Sequence, residues 1–451
     1  MSQASCISHL LPQLNKSHLV QSDIAPLIHL LKNEPLVTVQ LIGHSFERRP
    51  IHLLTLGQGP IVIFAWTQMH GNEATATAAV FDLIDQLIGN KHASIKNWSA
   101  EFTIHILPML NPDGAQRCIR QNAQSIDINR DAQKLQTPEG QILMGLVEQL
   151  APDIGFNLHD QSPYYQCGKS ANPATIAFLA PAFDVDKTID TSRARAMMLI
   201  AHMNKAIQPH IPNCVARYDD TYSVRSFGDN IAARKVSTIL IESGAAKGDD
   251  NRQVAREMNV LAMLCAFENL MHEEAPIKEK QSDKNFGPDV SDYFAIPENV
   301  PEALSSLLIR NLAFTGNHSY TAGVSIKQTA RYSNTFIIDY TGDLHTQAGL
   351  VDFDAQGLGY RQGKTFSPTQ AMTFSKQSYI AMLRKGYLQI NDTQGFITNN
   401  SGYDICHTKQ PLHGENAFVL QQCAYCLLAD LKEPERILYA MLNGTLIDLK
   451  E

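Results

Sequence analysis

Apolar and polar positions alternate in two periods along the first 275 residues, and the changes of period mark the elements. Apolar spacing through Leu19, Ile24, Leu27, Ile28 and Leu31 predicts helix within residues 1 to about 35. Two runs, Leu36–Leu41 and Ile51–Leu56, flank a turn containing Gly43 and predict a hairpin. A continuous apolar run, Ile61 to Trp66, predicts a buried strand, and Ala74–Ile88 returns to helical spacing. Phe102–Leu107 predicts another strand, followed by the turn-forming Asn111-Pro112-Asp113-Gly114. Thr137-Pro138 pairs an N-cap residue with Pro at the first helical position and opens a helix carrying Ile142, Leu143, Leu146, Val147 and Leu150. Ile154–Leu158 and Ser237–Ile241 predict strands ending at His159 and Glu242, and Thr191–Ile207 and Asn251–His272 predict helices.

Strands alternating with helices predict an α/β fold: a mixed, doubly wound sheet with helices on both faces over residues 1–275. Residues 276–302 are charged and Pro-containing and read as a linker. From 303 to 451, short segments rich in Ile, Val, Thr, Tyr and Phe (Ala322–Gln328, Asn334–Tyr340, Tyr387–Ile390) predict a smaller, mainly β domain.

Composition narrows the function classes. The chain has 451 residues, 44% hydrophobic and 18% charged, in the range of a globular protein with two or three domains. Its formal charge is -8 and no Lys/Arg block forms a phosphate-binding stripe, which argues against a nucleic-acid partner. No apolar run reaches the roughly 18 to 20 residues of a membrane span, and Met1–Ser17 lacks the pattern of a secretory leader, so neither is expected. Eight scattered cysteines do not resemble a disulfide framework and fit a reducing, cytoplasmic location. Cys265 shares the helical register of Val254, Met258 and Leu261, as a core residue would. Cys423-Ala-Tyr-Cys426 with Cys406-His407 has the spacing of a zinc knuckle or redox pair, against the plainer reading of buried thiols.

The chemistry gathers at strand ends, where α/β sheets build their sites. His70 and Glu73, in His70-Gly71-Asn72-Glu73, follow the Ile61 strand and can turn two metal-binding groups toward one point. A catalytic zinc takes three protein ligands and keeps one position open. Of sixteen histidines, His159 is the best third ligand, because a buried strand delivers it between Asn157 and Asp160; His105, His202 and His210 read as structural. A charged Glu242 ending an apolar strand costs desolvation energy unless it has a partner or a task, and proton transfer beside a metal is such a task. Arg117, Arg120 and Arg130 are each able to stabilise an oxyanion or to be solvated charges. Asn129-Arg130 is a donor-rich pair suited to a carboxylate, with a structural Arg–Asp pair as the competing reading.

In order and spacing these residues resemble the zinc carboxypeptidase family, the carboxypeptidase A-like metallopeptidases. The resemblance runs over roughly residues 40 to 245: Ile42-Gly43-His44-Ser45 with Arg48, Arg49 and Ile51; Met69 to Glu73; Asn111 to Gly114; Arg120; Asp127 to Arg130; His159; and Glu242. It implies that His70, Glu73 and His159 hold one zinc, that Glu242 is the general base, and that Arg120 polarises the scissile carbonyl. It implies further that Asn129 and Arg130 bind the free C-terminal carboxylate of a peptide substrate and that Asp127 orients His70. Tyr222, with Tyr218 as a rival, is matched to the family's mobile tyrosine. Asp229 is matched to the specificity pocket, where it would favour Lys, Arg or diaminopimelate, or else it caps its own loop.

The segment from Glu73 to His159 is shorter than in digestive members and looks more like compact bacterial ones, some acting on cell-wall peptides. The expected activity is hydrolysis of the C-terminal peptide bond by the 1–275 domain, with 303–451 an accessory. The alternatives are an amidohydrolase acting on N-acyl amino acids, as in the desuccinylase and aspartoacylase relatives, and a non-catalytic binding protein on the same scaffold. Assembly as a homo-oligomer is compatible with the sequence.

Overall fold

The computed structural model describes residues 10–272, 289–316, 318–329, 334–407, 413–414 and 417–450. The chain divides into two compact units, Met1–Pro301 and Glu302–Glu451. In the first, helix α1 (Gln21–Leu31) leads into strands β1 (Val37–His44), β2 (Pro50–Gly57) and β3 (Ile61–Thr67). There follow α2 (Thr75–Ile88), α3 (Trp98–Glu101), β4 (Phe102–Leu107), α4 (Pro112–Arg117), α5 (Pro138–Leu150) and β5 (Ile154–Asp160). Next come β6 (Gln166–Cys167), β7 (Ile176–Leu179), α6 (Thr191–Ile207), β8 (Val215–Arg217), α7 (Phe227–Ala232), β9 (Ser237–Ser243), α8 (Gln253–Met271), α9 (Ser291–Phe294) and β10 (Asn299–Val300).

Eight strands form one mixed sheet in the order β1-β2-β4-β3-β5-β9-β7-β8. Its centre, β4-β3-β5-β9, is parallel, and β1, β2 and β7 join antiparallel. Alternation along β3 shows how both faces are covered. Ile63 and Ala65 enter one core with residues of α2, α6 and α8, whereas Phe64 and Trp66 enter a second with α5 and α7. Helix α5 begins as the Thr137-Pro138 pair predicts, with Thr137 Oγ1 accepting from the Gly140 N–H at 3.0 Å.

Several expectations need correction. Of the predicted N-terminal helix, residues 1–9 lie outside the described residues, and the remainder is a single 3-10 turn at Pro12–Leu14 followed by α1. The turn expected at Asn111–Gly114 opens a short helix, α4, because Asn111 caps it: Asn111 Oδ1 accepts from the Gly114 N–H at 2.8 Å. Of the expected linker, residues 276–288 lie outside the described residues, and the part from 289 to 301 packs on the first unit. Tyr293 and Ile296 are buried in its core, the Tyr293 hydroxyl accepts from the Ala180 N–H at 3.3 Å, and β10 pairs with β6. Cys265 is half-buried on α8, its Sγ 3.6 Å from the carbonyl of His202 on α6, so it flanks the core without entering it.

The second unit is mainly β. Its larger sheet runs Phe336–Gly342, Tyr320–Gln328, Ser305–Phe314, Leu358–Arg361, Cys426–Asp430, Ile437–Leu442 and Thr445–Asp448, with Gly349–Asp354 pairing parallel to Ser305–Phe314. Lys376–Arg384 is the one helix among its described residues. Cys406 and Cys426 are buried in its cores, where burial pushes both thiols up, Cys406 to about 12. Among the described residues no metal-ligand cluster forms around them.

Candidate metal centre

The carboxyl ends of β3, β5 and β9 meet at one edge of the sheet, since the three strands are parallel neighbours. The loop leaving β3 carries His70 and Glu73 into α2, and it is held tightly. A Cβ on Gly71 would fall 1.9 Å from the backbone of Gly114, so glycine is required for the loop to lie on α4. Asn111, besides capping α4, donates from Nδ2 to the Met69 carbonyl at 3.1 Å. Asp113 is anchored in turn by Ser45 Oγ (2.7 Å), the Glu47 N–H (2.9 Å) and Arg49 Nη1 (2.6 Å). The Ser45–Arg49 and Asn111–Gly114 motifs are thus the footing of the ligand loop.

His70, Glu73 and His159 are all buried and form the one potential metal-ligand group among the described residues, their donor atoms within 4.8 Å of one another. His70 Nδ1 is 2.8 Å from Glu73 Oε1, His159 Nδ1 is 2.7 Å from Glu73 Oε2, and the two Nδ1 atoms are 3.2 Å apart. Ligand atoms at zinc–nitrogen and zinc–oxygen distances of about 2.0–2.2 Å in a tetrahedron are separated by about 3.3–3.6 Å. The separations here, which run through both Glu73 oxygens, are 2.7–3.2 Å and shorter than that. Two imidazole nitrogens and a carboxylate turned on one point, in a buried site, form the donor set of a catalytic zinc. The group therefore fits the metal.

The surroundings complete it. His70 Nε2 lies 3.1 Å from Asp127 Oδ1, an arrangement that fixes the ring with Nδ1 toward the centre. Arg120 donates from Nε to Asp127 Oδ2 at 3.0 Å, and its Nη1 lies 3.1 Å from His70 Nδ1 and 3.4 Å from Glu73 Oε1. Burial works to raise the Glu73 and Asp127 carboxyls. The charges and hydrogen bonds of His70 and His159 on Glu73, and of His70 and Arg120 on Asp127, outweigh it and hold both below the ordinary range. Glu242 is half-buried on β9 and is the register partner of His159, so the two side chains share a face of the sheet.

The remaining sequence-derived residues are spread around this group. Asn129 Oδ1 accepts from the Phe227 N–H at 2.9 Å, tying the 127–130 turn to α7. Arg130 is exposed, with Nη1 on the Asn129 carbonyl at 2.6 Å. The competing Arg–Asp pair is not what occupies Asp131, which accepts from the Gln136 and Thr137 N–H groups and the Thr137 hydroxyl. Arg117 pairs with Glu47, away from the centre. Tyr222 is half-buried between β8 and α7 and makes no hydrogen bond to the group; Tyr218 stacks on Tyr165 at 6.0 Å. Asp229 accepts from Ser226 Oγ and from the Ser223 N–H at 3.4 Å, the contacts of a loop cap. His105 is structural as expected, 2.9 Å from Thr55 Oγ1.

Asp160 is a contributor that sequence reasoning passed over. Its N–H donates to Glu73 Oε2 at 3.2 Å, and its Oδ2 accepts from the Thr75 hydroxyl at 2.8 Å and the Thr75 N–H at 3.3 Å. It joins the end of β5 to the start of α2, the two elements flanking the ligands. The available signal was a second carboxylate closing an apolar strand directly after His159.

Comparison with known proteins bears on this centre. The family model described as zinc carboxypeptidase matches residues 27–143, which include His70 and Glu73 and end before His159 and Glu242. Among solved structures, a metallo-carboxypeptidase from Burkholderia cenocepacia is similar at 18% identity and a TM-score of 0.47, over 57% of this chain and 70% of that one. A putative carboxypeptidase A from Shewanella denitrificans is similar at 18% identity and 0.46, over 56% and 71%. A metallo-carboxypeptidase from Pseudomonas aeruginosa, in complex with (2-guanidinoethylmercapto)succinic acid, is similar at 15% identity and 0.45, over 57% and 71%. The family match lies on the ligand loop of the first unit, and the buried His70–Glu73–His159 group closing around one point fits a zinc site.

Proposed function

We propose that this protein is a carboxypeptidase that removes single residues from the free C-terminus of peptides. The observation that carries the reading is the register of β5 on β9, which pairs Glu242 with His159, a member of the buried His70–Glu73–His159 group. When bound there, zinc supplies Lewis-acid polarisation of the scissile carbonyl and acidification of a water. Every other part of the reaction falls to side chains. Glu242 accepts the proton of the attacking water and delivers it to the departing amine. Arg120, already directed at the group through Asp127, neutralises the developing oxyanion. Asn129 and the exposed Arg130 hold the terminal carboxylate, and this contact limits cleavage to the last residue. Asp127 keeps His70 oriented. Tyr222 closes over bound substrate, and Asp229 holds the loop before α7 in shape.

Metal content and hydrolysis, measured on one preparation beside Glu242→Gln, test the reading. Blocked dipeptides with free or amidated C-termini and N-acyl amino acids form the substrate panel. About one zinc per chain, cleavage of free C-termini only, and loss of activity with retention of zinc in Glu242→Gln are expected. Zinc with cleavage of N-acyl amino acids alone would replace the peptidase by an amidohydrolase. Failure to bind zinc would remove both.

A further inference from the structure

Two residues before His70, directly after β3, the backbone takes a conformation that suits glycine, yet the residue is Gln68. Its φ is 49°, in the left-handed region where a side chain costs energy, and it is fully buried. Such a conformation persists where the surroundings over-determine it. The Gln68 carbonyl accepts from the Asn111 N–H at 3.1 Å. Its amide nitrogen donates to the Leu19 and Gly71 carbonyls, both at 2.9 Å, and its amide oxygen accepts from the Thr77 hydroxyl at 2.8 Å. Two carbonyls on one side and a hydroxyl on the other leave the amide a single orientation, with both of its N–H groups engaged.

These partners tie the metal ligands to a part of the chain that carries none. Gly71 lies inside the His70–Glu73 turn, which the Glu73 N–H closes on the His70 carbonyl at 3.1 Å. Thr77 stands in the first turn of α2, the helix that follows Glu73. Leu19 belongs to residues 10–20, ahead of the stretch that matches the zinc carboxypeptidase model. That segment is itself anchored. Leu14 and Leu19 are buried in the larger core. The Leu11 N–H donates to Asp82 Oδ1 at 2.8 Å, and Arg256 Nη2 donates to the Leu11 carbonyl at 2.9 Å. Asp82 on α2 and Arg256 on α8 are buried and paired at 2.6 and 2.8 Å. A buried ion pair is tolerated when further hydrogen bonds satisfy it, and the Leu11 main chain supplies them. The Leu19 carbonyl is thus a fixed acceptor.

We infer that Gln68 is a positioning residue for the metal. By holding the Gly71 carbonyl between the anchored N-terminal segment and α2, it keeps His70 and Glu73 converged in the absence of zinc. Residues 10–20 are thereby part of the metal centre without contributing a ligand. The inference rests on the zinc centre described above and is independent of which bond is cleaved.

The test follows release of zinc from the full zinc-loaded chain into excess chelator, beside urea unfolding of the same samples. Gln68→Gly removes the amide and relieves the left-handed backbone together, and should release zinc about tenfold faster or more. Leu264→Ala, which shortens a buried side chain of α8 outside these contacts, should lower the unfolding midpoint with release unchanged. A folded Gln68→Gly that releases zinc at the wild-type rate overturns the inference. So does Leu264→Ala releasing zinc as fast as Gln68→Gly, since general loosening then accounts for both. Should Gln68→Gly fail to fold, Thr77→Val decides, because it keeps the side-chain shape and removes the hydroxyl that holds the Gln68 amide oxygen. Faster release in it supports the inference, and unchanged release overturns it. A wild type that takes up no zinc removes the metal centre and this inference with it, whereas bound zinc with release indifferent to position 68 keeps the centre and removes only the positioning role.

Discussion

Strands β5 and β9 present two unlike faces built from alternate residues of the same short segments. One carries Phe156, Leu158, Ile239 and Ile241, all in the larger core. The other carries Asn157, His159, Leu240 and Glu242. The first is stabilised by burial alone and is indifferent to chemistry. The second holds charged and polar groups in a place where water is scarce, which is tolerable only when each has a partner or a ligand. A period of two lets the sheet do both, because a change on one face leaves the other in register.

The separation of the faces is open to attack. The largest change in chemistry is expected from Glu242→Gln: kcat/KM falls about 10²–10⁴-fold, as for loss of a general base, with zinc content and unfolding midpoint near wild type. Loss of zinc together with activity would place Glu242 among the ligands and break the assignment. Phe156→Ala, on the opposite face, should lower stability by about 3–5 kcal/mol in urea unfolding while kcat/KM per folded, zinc-loaded molecule is retained. A fall in that corrected rate as large as in Glu242→Gln would show that the two faces are not independent. Asp127→Asn sharpens the comparison on the polar side. It should weaken zinc about 10- to 100-fold in competition with a chelator, by releasing the orientation of His70.

Asp229→Asn should have the smallest effect, and only on stability. Burial, working against the hydrogen bonds of Ser226 and Ser223 and the charge of Arg130, raises the Asp229 carboxyl above its ordinary value. The folded state therefore holds this proton more tightly than the unfolded chain. That contribution is complete below the ordinary carboxylate pKa of about 3.9 and is lost as pH rises through the elevated value. Thermal midpoints measured from pH 3 upward, a range set by that value of about 3.9, should shift in favour of the variant as pH increases. The preference for the terminal residue should not move; if it does, Asp229 belongs to the pocket.

Much of the metal centre was legible because polar residues at or just beyond the ends of apolar runs are conspicuous: His70, Glu73 and His159 each stand where burial would otherwise be unfavourable. A mixed sheet with helices on both faces followed from strand–helix alternation. What stayed hidden was short or relational. Strand β7 has four residues, β8 three and α7 six, too few for a period to show. Residues 289–301 look like a linker by composition, and the burial of Tyr293 depends on a partner, Ala180, more than a hundred residues away in sequence.

The contact of Gly71 with the backbone of Gly114 has a consequence for descent. Two stretches of chain forty-three positions apart are bound into one heritable unit. A methyl group at position 71 would push Gly114 back and draw Asn111 away from the Met69 carbonyl, loosening the loop that carries both His70 and Glu73. Lineages that retain one stretch should retain the other, and a lineage that abandons the metal is free to vary both together.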